Sequence, residues 1–360
     1  MALKSDLREF PGISHLAFQH PLDAQARVAL EKVPLLPKIT KALSGNVTER
    51  FIRVSQISSS VRITARQYPS LYQQYVRMAQ VLDLPKLPDL YIRTTPVINA
   101  SAMGVENYFI EVTSGLVDIM TEDELLAVIA HELGHVKCEH MLYVTMAHLL
   151  REFGANIIEQ IVPGVGYFAS IGIQLAILEW YRKAEFSCDR AGLLAVQEPG
   201  AMCSALSKLA GYSKNLEGEL SIEEVKEQAA AYQEIGADSN VDKIVKAFVL
   251  LSETHPYPVV RVAEISLWSE SSEYAQILTG NYQKLSPNSA TPGGAIPSLS
   301  TPTGLVCANP KCKSIWSAGT SFCGKCGGSL KTAQPICGKC LNFISPSWSV
   351  CANCGNRLVS

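Results

Sequence analysis

The chain has 360 residues, 47% apolar and 18% charged, with a formal net charge of −2. That composition excludes a disordered chain and supports a sizeable core, in one large domain or two to three smaller ones. The near-neutral charge excludes a whole-molecule attraction to nucleic acid, which is not an expected partner.

The first ten residues carry Lys4, Asp6, Arg8 and Glu9 and lack the apolar run of a secretory signal. The expected location is therefore cytoplasmic. Residues 1–88 are expected to form a helical region packed on the rest of the body. Within it, Leu71, Tyr75, Met78 and Leu82 fall at helical spacing and predict one amphipathic helix over Val61–Leu82. Pro85 and Pro88 end that stretch. Three runs of strand formers follow: Leu90–Ile92, Val97–Met103 and Tyr108–Val112. Thr121 and Glu124 then read as a capping box opening a helix that runs into His131-Glu132-Leu133-Gly134-His135. A second long helix is predicted from near Ile171 through Glu185 to Val196, with further helices over Ile222–Ile235 and Val241–Leu251. The body is placed at 89–283. Residues 284–304, rich in Pro, Ser, Thr and Gly, read as a flexible linker, and 305–360 as a separate cysteine-rich tail.

His131 and His135, four residues apart, lie on one helix face and can offer two imidazole nitrogens to one tetrahedral zinc. Glu132, beside them, is placed to take a proton from an attacking water and pass it to a leaving amine. Gly134 is expected to leave room beside the metal. The continuation that would add a third histidine is broken, since Cys138 and Met141 stand where that pattern needs Gly and His. The third ligand is then a downstream carboxylate: Glu152, Glu159, Glu179 or Glu185. Glu185 is favoured because Asp189, four residues on, could bond the distal nitrogen of a metal-bound histidine.

Several segments resemble the HtpX-like zinc metallopeptidases, relatives of the CAAX prenyl endopeptidases. They are Ile98-Asn99-Ala100, Gly115-Leu116, Asp123-Glu124-Leu125, the His131–His135 motif, Glu185-x-x-x-Asp189 and His255-Pro256. The resemblance runs from about Leu90 to Arg261. It implies an α+β, mainly helical zincin-type domain with a small sheet, and endopeptidase activity on polypeptides, often in quality control. It also implies Glu185 as third ligand, and His255 as a donor to the developing oxyanion. Arg261 would brace acidic groups, and Asn99 and Ala100 would lie on an edge strand that binds substrate. The competing reading is an inactive peptidase-fold scaffold.

Gln160 to Leu178 is 19 residues without a charge, close to a membrane span in length. His135 precedes it and Glu185 follows, so a single crossing would separate two ligands of one metal. The favoured reading is a buried helical hairpin. Peripheral membrane association comes second. A double span comes last, because Arg151 and Glu152 would sit inside it.

The tail carries six Lys/Arg and no Asp or Glu from Leu305 onward, and eight of the 11 cysteines. Cys307, Cys312, Cys323 and Cys326 form one group, and Cys337, Cys340, Cys351 and Cys354 a second. This spacing predicts a double zinc ribbon holding two structural zinc ions, beside one catalytic zinc in the body. Such closed sites suit binding of protein partners.

Overall fold

The structure, a computed structural model, describes residues 7–43, 46–154, 156–235 and 258–285, and three later strand segments by their backbone. The chain divides into two compact units, 3–295 and 296–360.

The first unit opens with helices α1 (Pro21–Glu31), α2 (Leu36–Leu43) and α3 (Asn46–Ser59). The single helix expected over Val61–Leu82 is instead strand β1 (Val61–Ile63) and helix α4 (Pro69–Val81). The reason is local. Pro69 has no N–H and fits only the first turn of a helix, where it lies here. Upstream of it, Val61-Arg62-Ile63 pairs antiparallel with β2 (Asp89–Arg93). Strands β3 (Ala100–Met103) and β4 (Phe109–Thr113) complete a four-stranded sheet in the order β1-β2-β4-β3, with β2 and β4 parallel. β3 is thus an edge strand, and Asn99 immediately precedes it.

Thr113 caps the short helix α5 (Ser114–Ile119). The capping box opens α6 (Glu122–Lys137) as expected. Thr121 Oγ1 accepts from the Glu124 amide at 3.4 Å, and Glu124 Oε2 accepts from the Thr121 amide at 2.7 Å. Such a cap is worth about 1 kcal/mol. Leu125 through His135 are all buried, so α6 is a central helix. It is followed by α7 (Met141–Phe153), α8 (Asn156–Ile161) and the long α9 (Tyr167–Val196).

α6 and α9 cross closely. A Cβ on Gly134 would lie 2.9 Å from Cys188 Cα and 2.9 Å from Ala191 Cβ, and one on Gly192 would lie 3.1 Å from the Ala127 carbonyl oxygen. The space at Gly134 therefore admits α9, not a metal. This corrects the sequence expectation, and the crossing is what brings residues 185–189 beside the histidines.

The uncharged stretch before Leu178 has two sides. Ile173 and Ile177 join Leu30, Ile39, Val144 and Trp180 in a core cluster, while Tyr167 and Phe168 are exposed. Among the described residues no helix is long and apolar enough to cross a membrane. Helices α10 (Pro199–Ala210), α11 (Ile222–Glu234), α12 (Pro258–Ser269) and α13 (Ser272–Thr279) complete the unit, with α12 packed on α9, α10 and α11. The helix expected over Val241–Leu251, and His255, lie outside the described residues.

In the second unit β5 (Thr303–Cys307), β6 (Ile315–Ser317) and β7 (Leu330–Pro335) form an antiparallel sheet in the order β6-β5-β7. Cys307 ends β5. Cys312, Cys323, Cys326, Cys337, Cys340, Cys351 and Cys354 lie outside the described residues.

Candidate active site

His131 and His135 project from α6 towards α9, and both are buried. Glu185 of α9 meets them. Its Oε2 lies 3.4 Å from His131 Nε2, and its Oε1 lies 3.3 Å from His135 Nε2. Two imidazoles and one carboxylate therefore converge, and His131 Nε2 has no hydrogen-bond partner.

Behind this trio, Asp189 Oδ1 lies 2.9 Å from His131 Nδ1. An Nδ1 proton facing that carboxylate would leave the Nε2 lone pair for a metal. Arg261 of α12 donates Nε to Asp189 Oδ2 at 2.8 Å and Nη2 to Asp189 Oδ1 at 2.6 Å. Its Nη1 reaches Glu185 Oε2 at 2.8 Å. The i, i+4 spacing of Glu185 and Asp189 thus presents two carboxylates to one guanidinium.

Burial is the largest single influence on the ionisation of these groups, and their partners together outweigh it. It would raise the Glu185 carboxyl, but Arg261 and His131 hold it well below the usual range. It would lower His131, but Glu185 and Asp189 raise that imidazole to about 9. Asp189 is also held low against burial, chiefly by Arg261.

The donor set suits a divalent metal. Glu132, Glu185 and Asp189 are buried carboxylates, and Arg261 is the cation bonded to this group among the described residues. With neutral imidazoles that leaves two excess negative charges in apolar surroundings, which a dication offsets. A second donor set exists. One ligand atom from each of His131, His135 and Cys188 lies within 4.8 Å of the others. Geometry favours Glu185 over Cys188, because Glu185 faces both Nε2 atoms. The Cys188 sulfur instead lies 3.6 Å from His140 Nδ1, and burial pushes its thiol well above the usual range.

The other carboxylates weighed as ligands lie elsewhere. Glu152 lines a groove beside β3. Glu159 accepts the amides of Gly164 and Gly166. Glu179 pairs with Arg182 and Lys183. Ala100 lines a small apolar pocket together with Val128, His131, Glu132, Leu206 and Arg261. Asn99, Ser101 and Met103 line the groove on the other side of β3.

Two residues at this site, His140 and Asp23, have no place in the sequence reading. His140 is fully buried, with Nδ1 3.4 Å from His135 Nδ1. Burial lowers its basicity, against the opposing pull of Asp23. His140 follows the helix end with no periodicity to mark it, and Asp23 is far away in sequence.

The profile of Peptidase family M48 matches residues 65–269. The chain is 36% identical over 263 residues to the plastoglobule-localized metallopeptidase 48, chloroplastic, of Arabidopsis thaliana, covering 72% of this chain and 74% of that protein. It is 32% identical over 172 residues to a protease HtpX homolog of Moorella thermoacetica, covering 41% of this chain and 57% of that protein. It is 31% identical over 182 residues to protease HtpX homolog 2 of Methanosarcina mazei, covering 44% and 60%. The chain thus spans less than two thirds of the length of these two HtpX homologs. Buried histidines meeting carboxylates across a helix crossing, and a family profile over that same region, lead to one conclusion: the chain belongs to peptidase family M48 and is a zinc-dependent metallopeptidase.

Proposed function

We propose that His131, His135 and Glu185 hold the zinc of a metalloendopeptidase in which Glu132 is the general base. The approach of both Nε2 atoms to the two oxygens of Glu185 carries this reading. Bound there, zinc supplies Lewis acidity to a water and to the scissile carbonyl. Glu132 accepts the water proton and returns it to the leaving amine. Asp189 fixes the His131 ring, and Arg261 locks Asp189 and Glu185 in place. His255 serves as the donor to the developing oxyanion.

The substrate is an extended segment of unfolded polypeptide, as in protein quality control. It pairs with the outer edge of β3, at Ala100 beside Asn99, through main-chain hydrogen bonds. The position of Ala100 in one pocket with His131 and Glu132 supports this.

The domain reading keeps 1–88 as a helical region on the 89–283 peptidase domain, 284–304 as linker and 305–360 as a double zinc ribbon. Cys307, Cys312, Cys323 and Cys326 hold one structural zinc, and Cys337, Cys340, Cys351 and Cys354 a second, on a surface that binds protein partners. The chain works in the cytoplasm. It touches lipid peripherally through exposed Tyr167 and Phe168, a contact that vesicle flotation of their Ser variants would test.

Metal analysis and a cleavage assay on an unfolded protein test the central claim. The full chain should hold roughly three zinc ions. Glu185→Gln should lose one, and Cys188→Ala should keep all. Glu132→Gln should keep its zinc while kcat falls about 10²- to 10⁴-fold. Zinc lost from Cys188→Ala but kept by Glu185→Gln would move the third ligand to the thiol.

A further inference from the structure

α6 ends in a Schellman motif. Glu139 adopts the left-handed conformation at φ 59°, its amide bonds the Val136 carbonyl at 3.2 Å, and the His140 amide bonds the His135 carbonyl at 2.9 Å. This motif returns the residue two past the cap to the last turn of the helix. Here it lays the His140 ring against the His135 ring, with Nδ1 3.4 Å from Nδ1.

The other nitrogen of His140 faces an acid from α1. Nε2 lies 3.2 Å from Asp23 Oδ2, a distance suited to pairing though not aligned as an ideal hydrogen bond, and beyond that contact it has no hydrogen-bond partner. Asp23 is fully buried in the first turn of α1. Its Oδ2 also accepts from Ser187 Oγ at 2.6 Å and from Gln19 Nε2 at 3.1 Å. Ser187 lies between Glu185 and Asp189 on α9. Asp23 lies outside the stretch matched by the family profile.

We infer that Asp23 and His140 form a relay that positions His135 for zinc, doing indirectly what Asp189 does directly for His131. A carboxylate at Nε2 places the His140 proton there and leaves Nδ1 as acceptor. His135 Nδ1–H then donates to His140 Nδ1, and the His135 Nε2 lone pair is free to face Glu185 and the metal. The Cys188 thiol, 3.6 Å from the same Nδ1, is a second donor consistent with that tautomer. Asp23 and His140 touch neither substrate nor metal and are positioning residues. The inference rests on His135 being a zinc ligand.

Asp23→Asn tests it on the full chain. The amide N–H would favour the opposite His140 tautomer and set an N–H against His135 Nδ1–H. Zinc affinity, read by titration in chelator-buffered zinc, should fall roughly ten- to a hundredfold. His135→Ala gives the background of zinc held elsewhere in the chain. Side-chain ¹⁵N NMR of the unsubstituted protein should show His140 as the Nε2–H tautomer, a readout that needs no variant to fold. His140 found as the Nδ1–H tautomer, or Asp23→Asn binding zinc with unchanged affinity while folded, would overturn the relay. If His135→Ala holds as much zinc as the unsubstituted chain, it is the ligand assignment that fails.

Discussion

Arg261 shows how much one side chain carries at this site. It is buried and bonds two buried carboxylates from successive turns of α9. Removing one partner from such a group leaves charge uncompensated in a low dielectric, which typically costs about 3–5 kcal/mol. Arg261→Met should therefore destabilise the zinc-free protein by about that much, measured by chemical denaturation. The loss should shrink with zinc bound, because the dication compensates the same carboxylates. An equal loss in both states would mean that Arg261 contributes packing alone. Sequence spacing gave a reason to pair Glu185 with Asp189, but nothing in the chain alone joins Arg261 to them, since even Asp189 is 72 residues away.

At the scale of elements, two local features hold the active helix in place. The first is the crossing of α6 and α9. Gly134→Ala would set a methyl 2.9 Å from the Cys188 Cα, a backbone atom that yields only if α9 moves. Overpacking of this kind costs about 1–3 kcal/mol. Because α9 carries Glu185, zinc affinity should fall together with the melting temperature. A fall in melting temperature alone would show that the crossing has slack. The second is the left-handed Glu139. A side chain there costs roughly 1 kcal/mol that glycine avoids. Glu139→Gly should raise thermal stability by about 0.5–1 kcal/mol and leave zinc affinity unchanged. The capping box was legible in sequence because it is local. The interruption at Pro69 was equally local: the helical spacing starts only after it, at Leu71, and did not license a helix back to Val61.

For the molecule as a whole, the buried ionisable groups set how stability varies with pH. Burial would raise Asp23 and Glu124. The nearby His140 ring and the Ser187 hydroxyl at Asp23, and hydrogen bonds from Lys208 and Ser204 to Glu124, hold both below their ordinary values. A carboxylate depressed on folding stabilises above its unfolded pKa, and that stability is lost as pH falls through the folded value. Denaturation midpoints should thus decline below about pH 4. His131 behaves oppositely in the zinc-free protein. Raised to about 9, it contributes fully below its ordinary 6.5, and its contribution is lost as pH rises through 9. Midpoints without zinc should fall between those two values. Zinc on the proposed ligands would hold the imidazole unprotonated, and that alkaline decline should vanish. A decline that persists with saturating zinc would assign it to another group.

What the sequence determined by itself was local and periodic: the capping box, the two histidines one turn apart, the carboxylates at 185 and 189, and the helices α6, α9 and α11. Each depends on contacts within a few residues, so spacing encodes it. The tertiary structure decided which carboxylate meets the imidazoles, because that follows from the approach of α6 and α9 through Gly134 and Gly192. It also turned the apolar run before Leu178 into one wall of a core cluster, since burial of Ile173 and Ile177 depends on α1, α2 and α7 being folded around them. And it brought Asp23 to His140, a juxtaposition of distant residues with no signature in residue order.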